Sequence, residues 1–423
     1  MLLAYRFLTT IFFPLIILLI FIRKIIGKED SSRFKEKIFP SKRNFQKKND
    51  EKLIWFHGAS IGEVASAIPI INELIKNNSK VKILITSTTL SSGKIIEREF
   101  KNNNKIYHHY FPIDVSFVIK KFLDIWKPAI VILIDSEIWP NLISEVKKRK
   151  INLALINGRI SEKTYKKWKV FKNESKKIFG SFNLCLASSQ ESFENLKYLN
   201  AYNVKYFGNL KFSIKIKSND KLKSEELIQF DKRRVWCAAS THEGEEKFCM
   251  DVHKEIKKTY DNLLTIIVPR HINRVEDIFK QSEKLGLKSQ ILNENDKVLN
   301  STDLIIINSF GLLSQYYDYC KCVFIGKSML RKLKSVGGQN PIEAALKGCK
   351  IYHGPFVYNF NEVYEYLKKN NMSFQIKDEL DLTKKIISDL KEPKIKNLKN
   401  IEKIHTFGQE ILKNTVSEIN NYI

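Results

Sequence analysis

The sequence predicts an α/β protein of two doubly wound, Rossmann-like domains facing a cleft, preceded by an N-terminal membrane anchor helix. Three observations carry that expectation. The chain has 423 residues, more than the ~250–300 that one hydrophobic core supports, so two lobes are the default. Short apolar strands alternate with amphipathic segments twice over, first within residues 52–157 and again within residues 235–353, which is the rhythm of parallel sheets. Ahead of both stands an apolar run over residues 7–22, interrupted only by Thr9, Thr10 and Pro14.

As a helix that run reaches about 24 Å, short of a hydrocarbon core of ~30 Å, so a helix lying in the interface is the alternative to one that spans. Arg6 stands at one end and Arg23, Lys24 and Lys28 at the other, which by the positive-inside rule places everything after residue 28 in the cytoplasm. No small-residue cleavage site follows, which argues against a removable signal peptide. Residues 29–51 are polar and basic, with Arg33, Lys35, Lys37, Lys42, Arg43, Lys47 and Lys48 suited to anionic headgroups.

The first lobe, residues 29–208, then takes strands at 53–56, 81–86, 129–135 and 152–157. Residues 209–234 lose apolar density and form the connection. The second lobe, residues 235–393, takes strands at 235–239, 263–268, 303–308, 322–325 and 350–353, and residues 394–423 form a linker and a last amphipathic helix.

The chain is organised around residues 54–64, IWFHGASIGEV, where a strand ends, Gly58, Ser60 and Gly62 make a joint, and a helix opens with Val64, Ala67, Ile68, Ile71, Leu74 and Ile75 at helical spacing. Such a joint lies at the carboxyl end of a parallel sheet, where open α/β folds bind ligands. Glu63 is therefore a candidate catalytic carboxylate; the plainer reading is that it complements the helix dipole. A helix N-terminus lowers a carboxyl pKa and weakens it as a base, unless burial raises it again.

Four more strand ends carry polar residues that a core does not need. In IDSEIWPN, residues 134–141, Asp135 and Glu137 alternate to one side of an extended chain, or else form an acidic cluster at a helix N-terminus. In AASTHEGEE, residues 238–246, Ser240 and Thr241 can cap a helix whose free N–H groups suit phosphate; the lone His242 signals little. In VPRHINR, residues 268–274, Arg270 suits bidentate phosphate contact. In GGQNPIEA, residues 337–344, Asn340 and Pro341 open a helix that carries Glu343, a carboxylate able to accept ribose hydroxyls. Neither a G-x-G-x-x-G fingerprint nor a Walker A sequence is present, which disfavours ordinary dinucleotide and P-loop readings.

The ordered segments HGASIGEV, IDSEIWPN, NGRISE, GNLKF, ASTHEGEE, VPRH, GGQNPIEA and GPFVYNF resemble, over nearly the whole chain, the Kdo transferases, which move 3-deoxy-D-manno-octulosonic acid from CMP-Kdo onto a lipid A precursor in lipopolysaccharide synthesis. The resemblance implies a GT-B architecture, with the acceptor in the first domain, the donor in the second, and inverting, metal-free transfer without a cofactor. It implies Glu63 as the base, and Asp135 and Lys211 as transition-state stabilisers. It implies donor contacts from Pro269 and Arg270, from Phe310, Gly311 and Leu312, and from Asn340, Pro341, Ile342 and Glu343. Two positions depart from the family pattern: Asp135 replaces a glutamate one methylene longer, and Gln339 replaces a histidine.

The formal charge of +26 points to an anionic partner, and the resemblance makes that CMP-Kdo, the lipid A precursor and the anionic membrane surface, with no nucleic acid. Part of the basicity is compositional, since Lys, Asn and Ile are abundant throughout. Cys185, Cys237, Cys249, Cys320, Cys322 and Cys349 lack a C-x-x-C pair and read as reduced core residues, with no structural metal expected. The rival readings are a transferase for another nucleotide sugar, separated by which nucleotide raises the melting temperature, and a basic membrane protein without chemistry. The second leaves the carboxylates, arginine and paired glycines at strand ends unexplained.

Overall fold

In the computed structural model, which describes residues 2–42, 45, 48–214, 230, 232–293, 296–309, 313–334, 336–392 and 398–423, the strand Lys52–His57 (β1) exposes only its first residue. Leu53, Ile54, Trp55 and Phe56 are buried on both faces, as befits the middle of a parallel sheet. Val81–Ser87 (β2), Ile106–Tyr110 (β3), Ile130–Ile134 (β4), Asn152–Gly158 (β5), Leu184–Ala187 (β6) and Val204–Tyr206 (β7) complete one sheet in the order β3-β2-β1-β4-β5-β6-β7. Every pairing is parallel. Strand order reverses between β1 and β4, so the loops leaving these two strands part to opposite faces and open the crevice where doubly wound sheets take ligands.

Arg234–Thr241 (β8), Leu263–Pro269 (β9), Ser289–Leu292 (β10), Leu304–Ile307 (β11), Cys322–Ile325 (β12), Lys350–His353 (β13) and Ser373–Gln375 (β14) form the second sheet in the order β10-β11-β9-β8-β12-β13-β14. It too is parallel throughout, and its reversal lies between β8 and β12. The chain divides into two compact units, Met1–Ile214 with Phe407–Ile423, and Lys215–Thr406. Of the expected connection at 209–234, residues 215–229 and 231 lie outside the described residues. So do Arg43, Lys47 and residues 393–397 near the expected linker.

Each unit has its own core. In the first, Trp55 packs on Phe122 with ring centroids 4.6 Å apart, and Trp126 and Phe179 join the same cluster. Full burial of each such side chain stabilises by about 1.5–3 kcal/mol. Helices Ile61–Asn77 (α3), Leu90–Phe100 (α4), Ser116–Trp126 (α5) and Pro140–Lys148 (α6) flank this sheet, numbered after the two helices of the apolar run. Helix α3 buries Val64, Ala67, Ile70, Ile71 and Leu74, while Ile68 and Ile75 are half-buried at the margin of its stripe. The six cysteines are all buried.

The apolar run is two helices, Leu2–Ile11 (α1) and Phe13–Ile25 (α2), bent by 60° at Phe12. The sequence supplies the bend: the Thr9 and Thr10 hydroxyls donate back to the Arg6 carbonyl at 3.1 and 2.8 Å, and Pro14 sits in the first turn of α2, where its missing N–H costs nothing. No single helix among the described residues is long and apolar enough to cross a membrane; the bent pair together passes that test by length and composition only. Part of the polar segment after it also departs from the expected headgroup role. Buried Glu29 pairs with Arg23 at 2.6 Å and Lys37 at 2.5 Å, and Arg33 pairs with Glu36 and Glu97.

Candidate functional site

Strand β1 delivers His57 and the Gly58-Ala59-Ser60 turn to the reversal point of the first sheet. A Cβ on Gly58 would lie 3.1 Å from the Glu63 Cβ, so glycine lets α3 start close against the turn. Ser60 is the N-cap, and Glu63 completes a capping box: its carboxylate accepts from the Ala59 amide at 2.6 Å and from the Ser60 hydroxyl at 2.7 Å. The cap reading of Glu63 is thus real, yet the helix terminus does not hold its pKa down. Burial pushes the carboxyl above its ordinary value, Glu137 and Asp135 push the same way by charge, and the Ser60 and Ala59 hydrogen bonds only partly oppose them.

Those two carboxylates leave β4, the strand across the reversal. Asp135 is buried with φ of 63°, so the chain turns left-handed there and is not extended, contrary to the alternation expected for 135 and 137. Its amide donates to the Ile156 carbonyl at 3.0 Å and its carbonyl accepts from the Arg159 amide at 3.0 Å, which fixes the strained turn between neighbours. Nor do Asp135 and Glu137 form a helix cap: the first amides of α6, Asn141 and Leu142, are taken by Asp114 at 3.0 and 2.8 Å. Glu137 instead meets His57 Nε2 at 3.1 Å and accepts from the Trp139 indole at 2.8 Å, while His57 stacks on Phe111 and places Nδ1 3.0 Å from Thr86 Oγ1. Burial alone would raise the Glu137 carboxyl; His57 and Trp139 hold it below its ordinary value.

Lys211 completes this locus, with Nζ 3.9 Å from Asp135 Oδ2. It rides on the turn Leu210–Ser213, which Asn209 caps by accepting from the Lys211 amide at 3.0 Å. Asn157, left-handed at the end of β5, accepts from the Leu210 amide at 3.0 Å and ties that turn to the sheet. The structure therefore brings Glu63, Asp135 and Lys211 to neighbouring strand ends and adds His57, Glu137 and Asn157. An Asn-Gly pair closing a strand is a signal for left-handed backbone that could have found Asn157.

In the second unit, Ser240 and Thr241 do not cap the following helix. Ser240 lies in a bulge of β8 with φ of 55°, Thr241 is buried within the strand, and the helix Glu245–Lys257 starts after Gly244 without a side-chain cap. The organising group is Glu245. Its buried carboxylate accepts from the amides of His242 at 3.0 Å, Lys327 at 2.6 Å, Ser328 at 2.9 Å and Met329 at 3.0 Å, joining the loops that leave β8 and β12 across the reversal. In sequence Glu245 shows only as one of an acidic pair, Glu245-Glu246, at the head of a helix.

Around this joint, Pro269 is buried at the end of β9 and Arg270 is exposed beyond it, with its amide donating to the Thr241 carbonyl at 3.0 Å. His242 Nε2 lies 3.3 Å from Gln339 Nε2. Burial lowers the His242 pKa to about 4, helped by the nearby positive charges of Lys327, Arg270 and Arg274. Gly337 must be glycine, since a Cβ would fall 2.2 Å from the Phe356 carbonyl oxygen. Asn340 accepts from the Ile342 amide at 3.1 Å, Pro341 is the N-cap position of the short helix Ile342–Leu346 and gives no side-chain cap, and burial raises the Glu343 carboxyl against the pull of Ser314 and Lys347. Phe310, Gly311 and Leu312 lie outside the described residues.

A family model described as 3-Deoxy-D-manno-octulosonic-acid transferase (kdotransferase) matches residues 32–214. A 3-deoxy-D-manno-octulosonic acid transferase of Rickettsia bellii is 31% identical over 404 residues, covering 94% of this chain and 93% of its own. One from Aquifex aeolicus is 30% identical over 342 residues, covering 80% and 86%. Among solved structures, the UDP-GlcNAc 2-epimerase of Neisseria meningitidis bound to UDP-GlcNAc superposes with a TM-score of 0.57 at 16% identity, covering 88% of this chain and 99% of its own, which speaks to the fold alone. With ordered identity over nearly its whole length, the chain belongs to the Kdo transferase family and is a glycosyltransferase.

Proposed function

We propose that the protein transfers Kdo from CMP-Kdo to a lipid A precursor, lipid IVA, with inversion at the anomeric carbon. The observation that carries this reading is Glu63: a carboxylate at the reversal point of a doubly wound sheet, raised in pKa by burial and by two neighbouring carboxylates. A sugar hydroxyl is a poor nucleophile, and a carboxylate of raised pKa takes its proton more readily as the oxygen attacks the anomeric carbon. The bond to the CMP phosphate breaks as the new glycosidic bond forms, and CMP leaves with the electron pair. Asp135 faces the positive charge that develops on the sugar, and Lys211 the negative charge that develops on the leaving phosphate.

CMP-Kdo carries a phosphate and a carboxylate, and the second unit offers the cations Arg270 and Lys327 near the neutral imidazole of His242. In this reading Glu343 accepts hydrogen bonds from the ribose hydroxyls. No metal or cofactor enters this reading, in which CMP-Kdo is the donor substrate. The exposed apolar side chains of α1 and α2, Leu3, Phe7, Leu8 and Ile11 among them, suit residence in the interface of an anionic inner membrane with the catalytic units on the cytoplasmic side.

The test is direct. Purified protein given CMP-Kdo and the tetra-acylated precursor should yield a product heavier by Kdo in mass spectrometry, with CMP released. Transfer from a different nucleotide sugar, and none from CMP-Kdo, would overturn the reading.

A further inference from the structure

Three of the four polar side chains of α1, Tyr5, Arg6 and Thr9, have partners elsewhere in the folded unit, while Thr10 donates to the Arg6 carbonyl of its own helix. Tyr5 donates its hydroxyl to Asp114 Oδ2 at 3.0 Å, Arg6 reaches Ser144 Oγ at 3.3 Å and Glu145 Oε1 at 3.2 Å, and Thr9 Oγ1 accepts from Asn141 Nδ2 at 3.2 Å. These residues share one face of α1, and their partners Asp114, Asn141 and Glu145 are buried. The apolar side chains Leu3, Phe7, Leu8 and Ile11 of the same helix are exposed. A polar group enters so apolar a segment at a cost unless it is bonded, so these contacts are what seats α1.

What they seat it on matters. Asp114 accepts from the Asn141 and Leu142 amides and its carbonyl accepts from Asn141 Nδ2 at 2.6 Å, so it fixes the first turn of α6. That turn follows directly on Trp139, whose indole holds Glu137, and Glu137 and Asp135 stand beside Glu63. Phe13 adds an edge contact to Phe117 of α5 with centroids 4.8 Å apart. We infer that α1 is a positioning element for the carboxylate loop 135–139, with Tyr5, Arg6 and Thr9 as its positioning residues. The segment thus has a second role besides any contact with lipid: it sets the placement of groups around the reacting centre. This inference rests on the proposed Kdo transfer only for its kinetic arm.

The test uses the full chain in two measurements. The variants are the double change Tyr5→Phe with Thr9→Val, the single change Arg6→Met, and Arg6→Lys as the charge-keeping control. Removing Arg6 leaves Glu145 paired with Lys148 and Arg149, so the fold survives the change. Amide exchange read by mass spectrometry should quicken over residues 135–142 in the double variant and in Arg6→Met, with β2 and β5 unchanged. The kcat for Kdo transfer should fall about 10-fold in both, the KM for CMP-Kdo should stay within about two-fold, and Arg6→Lys should recover most of the loss. Unchanged exchange at 135–142, exchange that quickens evenly across the first unit, or an unchanged kcat would each overturn the inference. If the variants exchange as described but the wild-type protein transfers no Kdo, the proposed function is refuted and the seating of the loop stands.

Discussion

The carboxylate of Glu63 sits between two demands, since it closes the capping box of α3 and is the candidate base. Glutamine satisfies the first, because the box accepts Glu or Gln at that position, and fails the second. Glu63→Gln should therefore keep its melting temperature near that of the wild type while kcat drops by roughly 10²- to 10⁴-fold, with CMP-Kdo affinity within a few-fold. Near-normal turnover in that variant would leave only the cap. The pKa adds a signed expectation. Glu63 is raised in the folded protein above its ordinary 4.5, so the proton it holds favours the folded state, and that contribution fades as pH climbs from 4.5 through the raised value. Glu63→Gln lacks this loss, and its stability relative to wild type should grow between pH 4 and pH 7 in paired urea titrations. Asp135 allows a similar separation. Asparagine tolerates left-handed backbone well, so Asp135→Asn should preserve the turn at φ of 63° and lose at least about 10-fold in kcat through charge alone; an active variant would remove Asp135 from the chemistry.

At the scale of elements, the loops leaving β8 and β12 hang on one buried side chain. Glu245→Gln would turn an NH2 group toward amides that need an acceptor, leaving at least one buried donor unpaired at about 1–3 kcal/mol. The expected outcome is a lower unfolding midpoint for the second unit together with weaker CMP binding by calorimetry, while intrinsic signals of the first unit stay in place. Loss of neither would mean that water replaces the carboxylate. The same elements show what the sequence made legible. All nine strands read from apolar runs are present, with ends moved by a residue or two, because central strands of a parallel sheet are buried on both faces and must be apolar throughout. Of the five other strands among the described residues, β3, β7, β10 and β14 are sheet edges, with polar residues such as His108, Lys205 and Gln290 breaking the run, and β6 is a four-residue LCLA. In the candidate site, strand-end position pointed to Glu63, Asp135 and Arg270. Their supports did not show: Asp114, Glu145 and Glu245 work through backbone amides and distant helices, and nothing in local spacing distinguishes such a carboxylate from a surface one.

At the scale of the whole molecule, the two units are threaded differently. The second is one continuous stretch, Lys215–Thr406, whereas the first needs both ends of the chain, Met1–Ile214 and Phe407–Ile423. The boundary falls inside the helix Leu398–Asn420, whose last turns bury Ile411, Leu412, Val416 and Ile419. Phe407 meets Phe212 at 5.1 Å, Lys205 pairs with Glu418 at 2.7 Å, and Asn152 donates to the Tyr422 carbonyl at 2.9 Å, so this segment closes β5, β7 and the Lys211 turn. Four aliphatic side chains at about 1.5–3 kcal/mol each are comparable with the whole stability of a domain, about 5–15 kcal/mol. A fragment of residues 1–214 should therefore lack a cooperative melt, and a peptide of residues 407–423 added in trans should restore one. A fragment of residues 215–406 should melt cooperatively by itself, and CMP should raise its midpoint, since the proposed donor contacts all lie within it. On the ribosome the order follows: the second unit can complete its core first, and the first must wait for the end of the chain. A 1–214 fragment that folds alone, or a 215–406 fragment indifferent to CMP, would break the assignment of these tasks to the two units.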